Sequence, residues 1–186
     1  MKVIGASLKS KNIGEHAYFE RLKRYLQSAG IKRAVLVRIT VPNALEHDSI
    51  NKFNGESLDG IRIEHLDVDL SSFYEEKQSF LDRAMNSADL SVKVKLVEVI
   101  EESINSYLET FWEYPEKVNS DLTDSIFKAK HALISDLIYE YEKISWMGPN
   151  NAIIDRIKKY YPENDLAVLV DPERRYYIRE KLGSTG

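Results

Sequence analysis

The apolar run at residues 34–41, AVLVRITV, constrains the fold of this chain more than any other feature. It is rich in β-branched residues, it is almost continuously apolar, and Pro42 ends it. Such a run is typical of a strand that is covered on both faces, as in a parallel sheet. A strand-like run at residues 2–8 and a helical apolar pattern at residues 13–29 precede it. Together they predict a strand–helix–strand unit with parallel strands.

The remaining sequence predicts two further strands and a long block of helices. Apolar residues at strand spacing occur at 61–70 and 166–170, and helical spacing fills most of the chain between them. One long helix is predicted from about Thr123 to Trp146, with an apolar stripe that includes Leu133 and Leu137. Ser72, with Glu75 three residues later, predicts a capping box at the first of these helices. Residues 90–96 also alternate like a strand, but the helical spacing that follows favours a helix. A final helix is predicted from Asp171-Pro172 to Gly183.

These elements predict one α/β domain over residues 1–186, with a mainly parallel central sheet of about four strands and a long inserted helical hairpin. Its expected parts are a strand–helix–strand–strand half, the inserted helices and a helix–strand–helix return, at residues 1–70, 71–148 and 149–186.

Composition excludes several classes of function. The chain has no cysteine, so disulfides, thiolate chemistry and cysteine-bound metals are excluded. No run of 18 apolar residues predicts a membrane span, and the N-terminal residues lack the apolar stretch of a signal peptide. These features favour a cytoplasmic protein.

Charge is unevenly distributed and suggests an anion site near the N-terminus. Residues 1–40 carry a net charge of +7, whereas residues 41–149 carry −12. The segment after the first strand holds Ser7, Lys9, Ser10 and Lys11, at a predicted helix N-terminus where backbone donors and the helix dipole favour an anion. Arg38 would add a further positive charge. The glycines of nucleotide-binding fingerprints are absent, so an ordinary loop remains an alternative.

A second candidate site is a pair of aspartates near the end of the third strand. Asp67 and Asp69 share one strand face, and Asp171 follows the last strand. Carboxylate oxygens suit Mg²⁺ or Mn²⁺ that bridges to a phosphate. In the alternative interpretation, Asp67 pairs with Arg38 and Asp69 caps the next helix.

The basic-aromatic clusters at 158–161 and 174–177 are expected to place one tyrosine of each pair in the core and their basic residues on a solvated face. We expect His131, on a long helix, to be structural.

Three functions follow from these patterns. The first is a non-catalytic or regulatory module that binds a protein partner or a phosphorylated ligand. The second is a Mg²⁺-dependent enzyme that acts on a phosphate-containing substrate, with Mg²⁺ or Mn²⁺ needed only in that case. The third is a nucleic-acid binder that uses the basic N-terminal unit. The aromatic surface of the inserted helices could also support a homodimer.

Overall fold

The structure, a computed structural model, describes residues 1–6, 15–41, 58, 60–160 and 163–183, with only the backbone at 15 and 16. In this part of the chain four strands form one sheet. They are β1 (Lys2–Gly5), β2 (Arg33–Thr40), β3 (Arg62–Asp69) and β4 (Leu166–Val170). The sheet order is β1-β4-β2-β3 and every pairing is parallel. The prediction of an α/β domain with a four-stranded parallel sheet and a helical block is confirmed.

The central strands are the two most apolar runs of the sequence. All five residues of β4 are buried, and Val35 of β2 lies beside Val168 of β4. Val37 is buried as well, whereas Ile39 is only partly buried near the end of β2. Strands that are covered on both faces need apolar residues at consecutive positions. The expectation that the run at 34–41 forms a strand covered on both faces is confirmed for its buried residues 34–37.

Helices surround the sheet and form a block on one side of it. In chain order they are α1 (Glu15–Ser28), α2 (Ser71–Met85), α3 (Ala88–Phe111), α4 (Pro115–Val118), α5 (Asp121–Leu137), α6 (Tyr139–Glu142), α7 (Gly148–Ile157) and α8 (Pro172–Gly183). A π-helical segment at Lys143–Met147 joins α6 to α7, and a 3₁₀ turn at Lys158–Tyr160 follows α7. None of the helices described here has both the length and the apolar character needed to cross a bilayer.

Three core clusters hold the elements together. One face of the sheet packs on α1 and on the helical block, through residues such as Leu22, Leu36 and Phe127. The opposite face packs on α7 and α8, through residues such as Val168, Ile153 and Ile178. A third cluster lies within the block between α2, α3, α5 and α6. The block thus has a core of its own as well as a contact with the sheet.

Residues 90–96 are entirely helical, in α3, so the prediction of a helix there is confirmed. Two other local predictions need correction. Helix α2 begins at Ser71 without the predicted capping box, and the side chain of Asp69 accepts the hydrogen bond from the Ser71 N–H. The helix expected to run unbroken to Trp146 ends at Leu137, where Ile138 leaves helical geometry. Gly148, the first residue of α7, has no room for a side chain, because an added Cβ would lie 2.5 Å from the ring of Phe73.

Candidate functional site

A cavity of about 440 Å³ lies beside β1, at the edge of the sheet. Its walls come from β1, from the C-terminal end of α1 and from α8. The lining residues are Met1, Lys2, Val3, Ile4, Tyr25, Ala29, Arg175, Arg179, Leu182 and Gly183. We call this space the edge cavity.

The edge cavity exists because β1 has a neighbouring strand on one side only. It pairs with β4, and its other edge is free of strands in the described sheet. At Gly5 this free edge is closed by the side chain of Asn119, which accepts from the Gly5 N–H at 2.7 Å and donates to the Gly5 carbonyl at 2.9 Å. Helix α8 begins directly against Gly5, where an added Cβ would lie 2.9 Å from the Cα of Pro172. The helix then runs beside β1 and forms one wall of the cavity.

Arg175 is the central polar residue of the edge cavity. Its side chain is only 8% exposed, and its Nη1 donates to Oδ1 of Asp124 at 2.5 Å. Its Nε is buried and has no hydrogen-bond partner in the described part of the chain. Buried polar atoms in folded proteins nearly always have a partner, and an exception calls for an explanation. A ligand atom at this position would supply the missing acceptor.

The charged residues that line the edge cavity are all basic. Arg179, 44% exposed, donates from Nη1 to the second oxygen of Asp124 at 2.7 Å. Lys2 donates from Nζ to the carbonyl of Ala29 at 2.9 Å. Asp124, which is not part of the lining, binds both guanidinium groups, and Asp121 lies 3.9 Å from Nη1 of Arg179. Lys2, Arg175 and Arg179 together still carry one more charge than these two carboxylates.

The electrostatics of Arg175 point in the same direction. Burial lowers the pKa of the Arg175 guanidinium, and the nearby charge of Arg179 lowers it further, while Asp124 acts against both. A guanidinium stays protonated in proteins despite such effects. The lowered pKa therefore means that a buried positive charge is only partly compensated, and an anion in the cavity would complete the compensation.

A second group of buried charges lies on the other side of α8, and here every charge has a partner. The ring of His131 contacts the carboxylate of Glu142 through Nδ1 at 2.9 Å and that of Glu173 through Nε2 at 2.7 Å. The ammonium of Lys130 also contacts Glu173. The His131 ring stacks on Trp146, with ring centroids 3.7 Å apart. We call Lys130, His131, Glu142 and Glu173 the closed cluster.

The pKa shifts in the closed cluster follow from its mutual pairing. Burial alone would lower the pKa of His131, but the two carboxylates outweigh it and raise that pKa. Burial opposes ionisation of Glu173, yet His131 and Lys130 bring its pKa down to about 2. Glu101 lies near this cluster, and burial raises its pKa. Since both ring nitrogens of His131 are engaged, it has no free nitrogen to act as a base or a metal ligand, which supports the structural role expected for it.

The aspartates predicted to bind a metal have other contacts. Arg38 binds both oxygens of Asp67, at 2.7 Å and 3.0 Å, and Asp69 accepts from the backbone and the hydroxyl of Ser71. Asp171 accepts from the Glu173 N–H at 3.0 Å at the start of α8. These contacts match the alternative interpretation of Asp67 and Asp69. Among the described residues, no three acidic or histidine side chains come together in a way that could hold a metal ion.

The predicted anion site falls largely outside the described residues. Ser7, Lys9, Ser10 and Lys11 are not described, so their part in an anion site stays a prediction. Arg38 is described, and it pairs with Asp67 on the exposed side of the sheet.

Sequence reasoning missed the residues of the edge cavity. The cluster at 174–177 was expected to turn its basic residues to solvent, but Arg175 is buried beside Asp124. Tyr176 of the same cluster is in the core, as expected for one tyrosine of the pair. The available signal was the helical spacing of Arg175 and Arg179, which places both on one face of α8.

A scan against protein-family models, a search of curated proteins and a search of solved structures each gave no significant match.

Proposed function

We propose that this protein is a non-catalytic module that binds a small phosphorylated organic molecule in the edge cavity. The observation that carries the proposal is the buried guanidinium of Arg175, which lines a basic cavity and whose Nε has no hydrogen-bond partner among the described residues. Guanidinium groups offer several donors in a fixed plane, and phosphate oxygens match them in both charge and geometry. Arg179 and Lys2 would contribute further positive charge.

Size and wall chemistry support an organic ligand rather than a bare ion. About 440 Å³ falls in the range of small-molecule sites, roughly 300–1,000 Å³. The lining also contains apolar side chains, including Val3, Ile4, Tyr25 and Leu182. A ligand with one phosphate and an apolar or planar portion would match this mixed lining, and Tyr25 offers a ring for such a portion.

The lining residues favour binding over catalysis. Among the residues that the structure describes, those lining the edge cavity include no carboxylate, histidine, serine or threonine. General acid–base or nucleophilic chemistry uses such groups most often, within hydrogen-bond reach of the substrate. Lys2 and Tyr25 are the titratable side chains there besides the arginines.

Isothermal titration calorimetry with inorganic phosphate, a nucleoside monophosphate and the matching uncharged nucleoside tests the proposal. We expect the monophosphate to bind more tightly than phosphate, and the nucleoside to bind weakly or not at all. Arg179→Gln should weaken monophosphate binding about tenfold or more, because it removes a charge-assisted hydrogen bond. Arg175→Gln should weaken it further. Lys181→Gln provides the matched control, since Lys181 is an exposed cation of the same helix outside the cavity lining.

Three results would contradict the proposal. The first is that neither phosphate compound gives heat at millimolar concentration. The second is that the nucleoside binds as tightly as its monophosphate. The third is that Lys181→Gln weakens binding of the monophosphate as much as Arg179→Gln does. A urea titration of each variant without ligand shows whether the fold is retained. Arg179 is the more informative position, because it is partly exposed and its replacement leaves Arg175 on Asp124.

A further inference from the structure

The outer side of α3 carries a row of apolar side chains that nothing in the described structure covers. Val92, Leu96, Val99 and Tyr107 are 59%, 46%, 59% and 55% exposed. They follow one another at intervals of four, three and eight residues, with Ser103 in the gap. This spacing places all five along one side of a helix, over about 22 Å. We call these five residues the α3 row.

The α3 row lies opposite the face by which α3 packs into the protein. Val97 and Leu108 are buried on the inner face, against the helical block and the sheet. The row is therefore additional to the apolar residues that the fold requires. Aligned apolar residues of this kind on a surface helix are characteristic of a face that binds another helix.

We propose that the α3 row binds the same row of a second copy of this chain, with the two α3 helices antiparallel. A two-fold axis between positions 99 and 100 sets Val92 opposite Tyr107 of the second copy and Leu96 opposite Ser103 of the second copy. Each large side chain near the axis thus faces a small one, which lets the helices interlock. The arrangement is isologous, as in most homodimers.

Charges beside the row favour the antiparallel arrangement. Lys95 and Glu102 are both exposed, and their seven-residue separation places them on the same flank of α3. In the antiparallel pair, Lys95 lies within about 3 Å along the axis of Glu102 of the second copy. In a parallel pair this flank would instead face the opposite flank of the second copy, so the contact between Lys95 and Glu102 would not form. Antiparallel packing also sets the two helix dipoles in opposite directions.

The short length of the α3 row limits the expected affinity of the dimer. A contact of about 22 Å along one helix buries less than the roughly 1,200 Å² of a stable complex, so the dimer should be weak. We expect a dissociation constant of about 10–100 µM, which corresponds to association visible only at high protein concentration.

Sedimentation equilibrium of the full chain from about 10 µM to 1 mM tests the proposal. The wild type should shift from monomer to dimer over this range. Val99→Glu should remain monomeric, because it sets two carboxylates against each other at the axis. Leu133→Glu, at an exposed leucine of α5, should dimerise like the wild type. A monomeric wild type at 1 mM overturns the proposal, and so does a dimer that Val99→Glu leaves unchanged.

Charge reversal tests the orientation. Lys95→Glu and Glu102→Lys should each weaken dimerisation, because each sets like charges together. An equimolar mixture of these two variants should form a heterodimer, since both cross-pairs are then of opposite sign. The double variant should also regain the wild-type behaviour. If mixing restores nothing while the wild type dimerises, the antiparallel arrangement is wrong. Both sites are exposed, so these variants should keep the fold.

Discussion

The edge cavity and the closed cluster share helix α8 but differ in how completely their buried charges are paired. On one side Glu173 contacts two cationic side chains, and His131 has a carboxylate at each ring nitrogen. On the other side two arginines share the carboxylate of Asp124, and Nε of Arg175 has no hydrogen-bond partner within the described ranges of the chain. Both groups are expensive to bury, since each takes charges out of water.

The difference separates structural charges from charges available to a ligand. In the closed cluster a ligand would have to displace existing ion pairs. These ion pairs connect α5 and α6 to α8. The edge cavity, by contrast, is lined by the cation of Arg175, whose hydrogen bonds to the described residues are incomplete. Buried charge alone is therefore a poor guide to function, and the number of unfilled hydrogen-bond positions is a better one.

The largest expected effect is the loss of one partner in the closed cluster. Glu142 is 1% exposed, so Glu142→Ala leaves His131 as a buried cation with one carboxylate fewer. We expect a loss of about 3–5 kcal/mol in the free energy of unfolding, measured by urea denaturation. Glu140 lies two residues away on α6 and pairs with Arg83 at the surface. Glu140→Ala should cost less than about 1 kcal/mol. Similar losses for the two variants would show that the cluster is not a buried network.

The pH dependence of stability should come from the closed cluster. Folding raises the pKa of His131 above 6.5, so its contribution is complete below pH 6.5 and is lost as the pH rises through the higher value. Folding lowers the pKa of Glu173 from 4.5 to about 2, so its contribution is present above pH 4.5 and is lost as the pH falls towards 2. Burial raises the pKa of Glu101, so its contribution is greatest below pH 4.5 and declines as the pH rises from 4.5 through the higher folded value.

We therefore expect the cluster to stabilise the fold most between about pH 4.5 and pH 6.5. Urea midpoints measured from pH 3 to pH 9 would show this window. In His131→Gln the decline above pH 6.5 should become shallower. An unchanged slope in that variant would assign the alkaline decline to other groups.

The smallest effect is expected at the exposed pair of Arg38 and Asp67. The two side chains are 42% and 60% exposed, so their bidentate contact gains little over hydration. Asp67→Asn should lower the free energy of unfolding by less than about 1 kcal/mol, by the same urea assay. If Asp67→Asn lowered the free energy of unfolding as much as Glu142→Ala, the contribution of an ion pair would not depend on its burial.

The sequence predicted the sheet well, because its evidence is local. Two continuous apolar runs, at 34–41 and 166–170, became the adjacent strands β2 and β4. The pattern failed where buried positions are not apolar. On α5 the buried face includes Lys130 and His131, whereas Leu133, counted in the expected apolar stripe, is 48% exposed. Leu137, another residue of the expected stripe, is only partly buried.

The edge cavity was beyond prediction from local patterns. Its residues come from β1, α1 and α8, at opposite ends of the chain, and only the pairing of β1 with β4 brings them together. The site proposed from the sequence was expected at the carboxyl ends of the strands, where parallel sheets commonly bind ligands. Neither the unpaired edge of β1 nor the incomplete hydrogen bonding of Arg175 can be predicted from a local sequence pattern.

The position of β4 also has a consequence for how the chain folds during synthesis. In the described sheet β1 pairs with β4 alone, and their contacts join residues about 165 positions apart, such as Lys2 and Ala167. During synthesis β1 therefore has no strand of the described sheet to join until β4, about 165 residues later, has been made. Contacts of such long sequence separation slow folding, because a large loop must close before they form. The core of the helical block is built from helices that are close in sequence, so this block can form before β1 pairs with β4.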